Sequence, residues 1–300
     1  SHPLLDGMLH MPQVIRDKII RSMDLRDVPI VFGAKALGVF GFADMIGKDV
    51  GTTWAKLAAT ASAGTKTLTL TSPVTWAAGS EVVVSSTSME LQETERMTIA
   101  LVSGNTVTLT KALQFDHVSH EATLSDGQKF LMQGEVGLLT RNVKIVGNDY
   151  AELEDEQFGA RVLVGSFEQE DILYTGYARF ENVEFLRGGQ DGWYDNFDPR
   201  YALAYLETGD SESAGGKAGA MESYVKKCAF NYGYNSAIGV FASNNIPVED
   251  NVIYRFINNG IFDEGEGNTI RNNLVTKGES VARIKGQSAN FEFFAGINIK

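Results

Sequence analysis

The stretch that decides the fold runs from Tyr224 to Lys277 and reads YVKKCAFNYGYNSAIGVFASNNIPVEDNVIYRFINNGIFDEGEGNTIRNNLVTK. Pairs of apolar residues, with one residue between them, recur in it at a nearly constant interval. Repetition with a period of roughly 20 to 50 residues is typical of stacked-repeat folds, and pairs this short fit only very short strands. The sequence therefore predicts an all-β chain folded as a right-handed parallel β-helix, with the strands of a β-sandwich as the alternative.

The apolar pairs also give a register for the predicted coils. Since each coil of a solenoid stacks on its neighbours, equivalent positions superimpose along its axis. On this register, one inward stack contains Cys228, Val252 and Leu274, and the next inward tier contains Phe230, Tyr254 and Thr276. A second series, from Ile238 to Ile261, steps by 23 residues and supports the same period.

Asparagine residues stand at the borders of these short strands, at Asn251, Asn272 and Asn273. Asparagine tolerates left-handed backbone and forms hydrogen bonds with nearby backbone groups, so it suits tight corners. We expect these residues to lie where one strand of a coil turns into the next.

The pattern is different before residue 135. Gly104 and Asn105 separate two alternating runs, Met97–Val102 and Thr106–Leu113, which is typical of a two-residue β-hairpin. We therefore expect a small antiparallel β unit over residues 52–134, preceding the solenoid.

Residues 135–300 are expected to form the parallel β-helix repeats. The triplet that begins at Asn142 recurs forty residues later at Asn182, and the regular series follows. Ile297 and Ile299 resemble one more solenoid strand, so the last coil is expected to be truncated at the C-terminal end.

Composition excludes several classes of partner. The net charge is −12, and almost all of the imbalance lies in residues 151–212, where 15 acidic side chains face four arginines. Such a surface repels phosphate backbones, so we expect no nucleic-acid partner. The apolar run from Val28 to Gly47 is interrupted by Lys35 and Asp44, so no part of this segment is expected to be membrane-embedded.

The blocks VPIVFGAKALGVFG, EVGLLTRNVKIVGN, FENVEFLRGGQDGWYDNFDPRYALAYLETG and CAFNYGYNSAIGVFASNNIPVEDNVIYRFINNGI follow one another along the chain. Together they resemble consecutive blocks of the fibrocystin family, which comprises fibrocystin-L and fibrocystin (polyductin). The chain departs from the family pattern at Asn231–Tyr234, where the family has a histidine-rich turn, and at Gly209–Gly219, which looks like a longer insertion.

The resemblance implies a glycine-rich β domain followed by β-helix repeats, and residues 1–51 would be the C-terminal part of that domain. It also implies an extracellular segment of a large cell-surface protein of cilia or stereocilia, with a membrane anchor elsewhere in the parent protein. Other extracellular proteins or glycans of a surface coat would be its partners. On this basis we expect a non-enzymatic structural or adhesive segment without a required cofactor.

A polysaccharide-acting enzyme is the main alternative, since the related hyaluronan-depolymerising proteins combine the same two domain types. Glycoside cleavage usually needs two carboxyl groups that face one sugar. By residue type the catalytic candidates are Asp191, Asp195, Asp198, Asp263 and Glu264, with Glu207 and Glu266 beside them. All four histidines lie before residue 135, and the pair His117 and His120 is too small a set to indicate a metal site.

One loop combines acidic and aromatic residues. Asp191, Asp195 and Asp198 lie within eight residues, and grouped carboxylates of this kind can bind Ca²⁺. The neighbouring aromatic side chains would form a stacking platform in a glycan-binding module without turnover, and these are Trp193, Tyr194 and Tyr201. The alternative is a loop whose rings pack on the solenoid while its acids remain in water.

Overall fold

The computed structural model describes residues 35–169, 172–190, 200–210, 222–279 and 295–300. Regular structure in these residues is nearly all β, with one short helix, α1 (Leu153–Glu156), and one 3-10 turn (Leu91–Glu93). Three sheets of parallel strands form a solenoid, and a fourth, antiparallel sheet forms a separate layer. The predicted all-β class and the parallel β-helix are confirmed.

Each sheet of the solenoid takes one strand from each coil. The first sheet contains, in spatial order, β1 (Ala36–Val39), β12 (Arg161–Gln169), β16 (Leu203–Asp210), β19 (Ile238–Asn244), β22 (Ile261–Glu264) and β25 (Ile297–Ile299), and β13 (Ile172–Thr175) pairs antiparallel with β12. The second sheet contains β2 (Phe42–Ile46), β14 (Tyr177–Glu181), β17 (Tyr224–Lys226), β20 (Pro247–Glu249) and β23 (Thr269–Arg271). The third contains β11 (Val143–Val146), β15 (Val183–Leu186), β18 (Ala229–Asn231), β21 (Val252–Ile257) and β24 (Leu274–Glu279).

The antiparallel layer, called the insert below, interrupts the first coil. Its main sheet contains, in spatial order, β3 (Trp54–Lys56), β10 (Glu135–Leu138), β5 (Glu81–Val84), β6 (Glu95–Ser103), β7 (Thr106–Leu109) and β4 (Thr67–Thr69). A hairpin of β8 (Ser119–Thr123) and β9 (Lys129–Gln133) projects beside it. The predicted turn at Gly104 and Asn105 joins β6 to β7, where Gly104 has a left-handed φ of 61°.

The boundaries differ from the expected division at residues 51 and 134. Strands β1 and β2 pair in parallel with β12 and β14, so residues 36–46 belong to the first coil of the solenoid. The last strand of the insert, β10, extends to Leu138, and the first coil is completed only by β11. The insert therefore lies inside the first coil and does not precede it, because β1 and β2, which come before the insert in the chain, already pair with strands of the next coil. Residues 1–34, assigned to the glycine-rich domain, lie outside the described residues.

The register of the third sheet confirms part of the predicted stack and corrects the rest. Val252 pairs with Leu274 as predicted, but its partner in the preceding coil is Ala229. The step there is 23 residues, so Cys228 and Val252 are not equivalent. Because a one-residue shift moves a side chain to the other face of a strand, Val252 and Leu274 point out of the solenoid.

The inward row of the third sheet consists of Ile145, Phe185, Phe230, Ile253 and Val275. The rings of Phe185 and Phe230 stack with centroids 4.4 Å apart, and Cys228 belongs to the same core. Tyr254 and Thr276, predicted as inward, therefore lie on the outer face with Val252 and Leu274. The outward residues Val252, Tyr254 and Leu274 pack against Val83 and Leu139 of the insert.

Asparagines do occupy the corner between the second and third sheets. Asn251 is fully buried, and its Oδ1 accepts a 2.8 Å hydrogen bond from the backbone N–H of Cys228. Its Nδ2 donates to the carbonyl oxygen of Val225 and to Oδ1 of Asn273, each at 2.9 Å. Asn272 beside it has a left-handed φ of 53°. These bonds satisfy the backbone groups that the turn removes from the sheets.

Polar contacts fix the insert to several coils. Thr53 Oγ1 donates a 2.6 Å hydrogen bond to the carbonyl oxygen of Asp250, and Trp54 Nε1 donates a 2.9 Å bond to that of Asn272. Arg141 is 1% exposed, and its guanidinium group donates hydrogen bonds to the carbonyl oxygens of Leu138 and Lys227. Apolar and polar contacts together hold the insert against the outer face of the third sheet.

Candidate binding cleft

Most of the acidic-aromatic loop identified in the sequence lies outside the described residues. This applies to Asp191, Trp193, Tyr194, Asp195 and Asp198. Their assignments as catalytic candidates, stacking residues and calcium ligands therefore stay predictions.

Tyr201, the third residue of the predicted stacking platform, is 6% exposed. Its ring centroid lies 5.5 Å from that of Phe241 and 6.4 Å from that of Phe262. Gly239 makes room for it, since a Cβ there would be 2.4 Å from Tyr201 Cδ2. Tyr201 thus packs in an aromatic cluster on the first sheet and is not placed as an open platform.

Asp263 and Glu264 are consecutive residues of β22, so their side chains point to opposite sides of the strand. Asp263 is buried, and its Oδ1 accepts hydrogen bonds from Asn268 Nδ2 at 2.7 Å and from the Gly265 N–H at 3.2 Å. Burial raises the pKa of Asp263, although these two hydrogen bonds oppose the rise. Glu264 is exposed. Asp263 and Glu264 therefore cannot form a catalytic pair with each other on one sugar.

The two histidines of the insert lie in different surroundings, one buried and one exposed. His117 is fully buried, with Nδ1 2.7 Å from the carbonyl oxygen of Ser85 and Nε2 3.1 Å from Glu95 Oε1. His120 is exposed on β8. Among the described residues, no group of three or more histidine, cysteine, aspartate or glutamate side chains could hold a metal ion.

A cleft of about 660 Å³ opens where the insert meets the solenoid, within the size range of small-ligand sites. Three parts of the chain line it: the insert at Arg96, the segment from Asp149 to Glu154, and the ends of β15 and β18 in the solenoid. The solenoid contributes Leu186, Arg187, Tyr232 and Tyr234. The sequence did not predict this site, because its residues come from three parts of the chain that are distant from one another in sequence.

The ring of Tyr232 contacts two guanidinium groups in and beside this cleft. The guanidinium carbons of Arg96 and Arg255 are 4.8 Å and 4.7 Å from its ring centroid, and Arg96 also forms an ion pair with Glu81. Burial lowers the pKa of Arg96, but the contacts with Glu81 and Tyr232 outweigh it and the pKa is raised overall. Both guanidinium groups are therefore held as cations against a phenol ring.

Glu154 joins the α1 segment to the solenoid. Its Oε1 accepts a 3.0 Å hydrogen bond from the Tyr234 hydroxyl, and its Oε2 lies 3.3 Å from Arg255 Nη2. Arg255 Nε also lies 3.1 Å from Glu279 Oε1. Burial, followed by the hydrogen bond with Glu154, raises the pKa of Tyr234, so its phenol stays neutral.

Tyr150 and Asp149 form the other wall of the cleft. Lys35 Nζ lies 4.3 Å from the centroid of the Tyr150 ring, and burial raises the pKa of this phenol as well. Asp149 Oδ2 is 3.7 Å from Arg187 Nη1 and its side chain is 78% exposed. The cleft thus combines three tyrosine rings with guanidinium and carboxylate groups, a set that can stack against and hydrogen-bond a polar ligand.

One signal for the cleft was present in the sequence. The turn Asn231–Tyr234 differs from the family pattern in the residues that now line the cleft, Tyr232 and Tyr234. The contributions of Arg96 and of Asp149–Glu154 had no such signal, since these segments are far from the turn along the chain.

None of the described residues forms a helix that is long and apolar enough to cross a membrane.

Comparison with known proteins gives matches over most of the chain. The CEMIP beta-helix family model matches residues 157–293. Fibrocystin-L of Mus musculus is 41% identical over 81% of this chain, and fibrocystin-L of Homo sapiens is 38% identical over 81%. A G8 domain-containing protein of Dictyostelium discoideum is 28% identical over 81% of this chain. The chain spans 6% of the length of each fibrocystin-L and 15% of the Dictyostelium protein.

Among solved structures, the tailspike of Pseudomonas phage phi297 aligns with 78% of this chain and 34% of its own, at 12% identity and a TM-score of 0.21. A likeness at this level carries no argument. The β-helix family match and the fibrocystin-L relatives agree with the blocks seen in the sequence and with the solenoid. The chain therefore belongs to the family of fibrocystin-L and fibrocystin.

Proposed function

We propose that the chain is a non-enzymatic structural segment of a large cell-surface protein and that its cleft makes contacts with a glycan or another extracellular protein. The parent protein would be anchored in the membrane elsewhere and would lie in a ciliary or stereociliary coat. Membership of the fibrocystin family supports this placement.

The observation that carries the proposal is the network of ion pairs in the cleft. Glu154 is engaged by Arg255 and Tyr234, and Asp149 lies beside Arg187. A general acid must donate a proton to the bond that is cleaved, whereas both carboxylate oxygens of Glu154 face donors, Oε1 the Tyr234 hydroxyl and Oε2 the Arg255 guanidinium. The arrangement favours binding over cleavage of a ligand.

The attachment of the insert supports a mechanical role. The insert packs on Val252 and Leu274 from successive coils, and its hydrogen bonds reach the carbonyl oxygens of Asp250 and Asn272 in the same two coils. Since neighbouring coils stabilise one another in a solenoid, a layer that spans them resists bending and separation of coils.

Two measurements test the proposal. The purified chain, wild type and Glu154→Gln, is incubated with hyaluronan and with neutral polysaccharides, and polymer length is followed by size-exclusion chromatography. We expect unchanged polymer length, whereas shortening that Glu154→Gln abolishes would establish the enzymatic alternative. Antibody staining of intact cells should find the parent protein at the surface, and signal only after permeabilisation would contradict the placement.

A further inference from the structure

We infer that the cleft binds an uncharged pyranose, such as a neutral hexose unit of a glycan, and discriminates against acidic sugars. This inference rests on the proposed contact role of the cleft and adds the chemical class of its ligand.

The arginines in and beside the cleft are matched by carboxylates. Arg96 pairs with Glu81, Arg187 lies near Asp149, and Arg255 pairs with Glu154 and Glu279. An acidic sugar would have to displace one of these carboxylates to gain a guanidinium partner. Exchanging one ion pair for another gives little net affinity, so the arginines do not create an anion site.

Of the charged side chains that line the cleft, the acidic ones are the more exposed. The side chains of Asp149 and Glu154 are 78% and 58% exposed, whereas those of Arg96 and Arg187 are 26% and 24% exposed. An approaching ligand therefore meets the two carboxylates first. A carboxylated or sulfated sugar would be repelled, and an uncharged one would not.

The lining suits the two kinds of surface that a pyranose presents. Its C–H groups can pack on aromatic rings, and the cleft supplies Tyr150, Tyr232 and Tyr234. Its hydroxyl groups can donate to the carboxylates of Asp149 and Glu154 and accept from guanidinium and phenol groups. Because the phenols of Tyr150 and Tyr234 have raised pKa values, they add no negative charge at neutral pH.

Saturation-transfer NMR and calorimetry on the whole chain test this inference. The probes are lactose, cellobiose and mannobiose as neutral sugars, and sialyllactose and a hyaluronan hexasaccharide as acidic ones. We expect binding of at least one neutral sugar that is nearly unchanged between about 0.01 M and 1 M salt, across which the Debye length falls from roughly 30 Å to 3 Å. Preferred binding of an acidic sugar, or no binding of any neutral sugar, would overturn the inference.

Two variants place the binding in the cleft. Tyr150→Ala should weaken binding of the neutral sugar about tenfold, and Tyr174→Ala, at a partly exposed tyrosine of β13, serves as the matched control. Equal affinity of wild type and Tyr150→Ala would contradict the assignment.

Asp149→Lys provides a second test that does not depend on core packing, since this side chain is largely exposed. Reversing the charge should let the cleft accept sialyllactose, whereas Glu90→Lys on the insert should not. If Asp149→Lys leaves the preference unchanged, the electrostatic argument fails. If no sugar binds and no polymer is cleaved, this inference falls while the structural role stands.

Discussion

The backbone of Gly137 in the insert lies directly against the side chain of Val252 in the solenoid. A Cβ at Gly137 would be 2.7 Å from Val252 Cγ1 and 2.8 Å from Leu274 Cδ2, closer than carbon atoms approach one another in proteins. The absence of a side chain at one residue therefore decides how tightly the insert packs on the coils. The cleft, which needs groups from both units, depends on this contact.

Gly137→Ala should force the two units apart or displace Val252. Overpacking of a buried contact costs about 1–3 kcal/mol, so the free energy of unfolding should fall by that amount. Urea denaturation followed by tryptophan fluorescence measures it. Gly41→Ala is the control, because a Cβ at Gly41 would have no atom within 4 Å. Equal stability of the two variants would show that the close contact does not constrain docking.

Phe230→Ala should remove the centre of the inward row. Phe230 is 3% exposed and stacks on Phe185, and truncation of a buried phenylalanine costs about 3–5 kcal/mol. Phe130→Ala in the β8–β9 hairpin, where the ring is 54% exposed, should cost less than about 0.5 kcal/mol. Chemical denaturation of both variants checks that Phe230 belongs to the inward row. A small loss for Phe230→Ala would mean that this residue does not point inward.

Cys228 should be unreactive in the folded chain. It is fully buried, burial raises the pKa of its thiol to about 12, and the thiol is therefore protonated at neutral pH. Because the thiolate is the reactive form, iodoacetamide at pH 8 should leave the native protein unmodified and label it fully in guanidinium chloride. Mass spectrometry measures the labelling, and rapid labelling of native protein would contradict the burial.

The same raised pKa has a consequence for stability. The contribution of Cys228 is fully present below the ordinary thiol value of 9.0 and is lost as the pH rises toward about 12. Cys228→Ala should therefore lose less stability than wild type between these pH values. Parallel loss in both proteins would exclude a contribution from the thiol.

Asp263 should tolerate an amide but not truncation. Its pKa is raised by burial, so the contribution of its protonated form to stability is lost as the pH rises above the ordinary value of 3.8. Asp263→Asn removes the buried charge and keeps an acceptor for Asn268 and Gly265, so it should be at least as stable as wild type at pH 7. Asp263→Ala should lose about 1–3 kcal/mol, because the Gly265 N–H loses its acceptor and Asn268 Nδ2 keeps only the carbonyl oxygen of Ser243. Equal losses for Asn and Ala would show that the negative charge itself is required.

The fold could be predicted from the sequence because a solenoid is built from local repeats. As predicted, Ile238 pairs with Ile261 and Val252 pairs with Leu274 in neighbouring strands. The triplets at Val143 and Val183 pair as their spacing predicts, and so do Ile145 and Phe185. Each coil places similar residues at similar positions, so residues that are one period apart in the sequence stack on one another in the structure.

The predicted register equated Cys228 with Val252 and was wrong by one residue. The reason lies in the corner between the second and third sheets. The true equivalents of Cys228 in the register are Asn251 and then Asn273, polar residues that an apolar pattern does not detect. Their amide groups replace the missing backbone hydrogen bonds of the turn and let a polar side chain occupy a buried position. The apolar residue next to each, Val252 or Leu274, then faces outward, where the insert covers it.

The sequence by itself determined the repeat, the strand positions and the antiparallel character of the insert, since these depend on alternation and spacing of neighbouring residues. Only the tertiary structure decided where the insert lies and which groups form the cleft. Arg96 and Tyr232 are distant along the chain, and their contact arises because the insert docks on the outer face of the third sheet. Periodicity describes which face of a strand is apolar, but it does not specify whether solvent, a neighbouring coil or an inserted sheet covers that face.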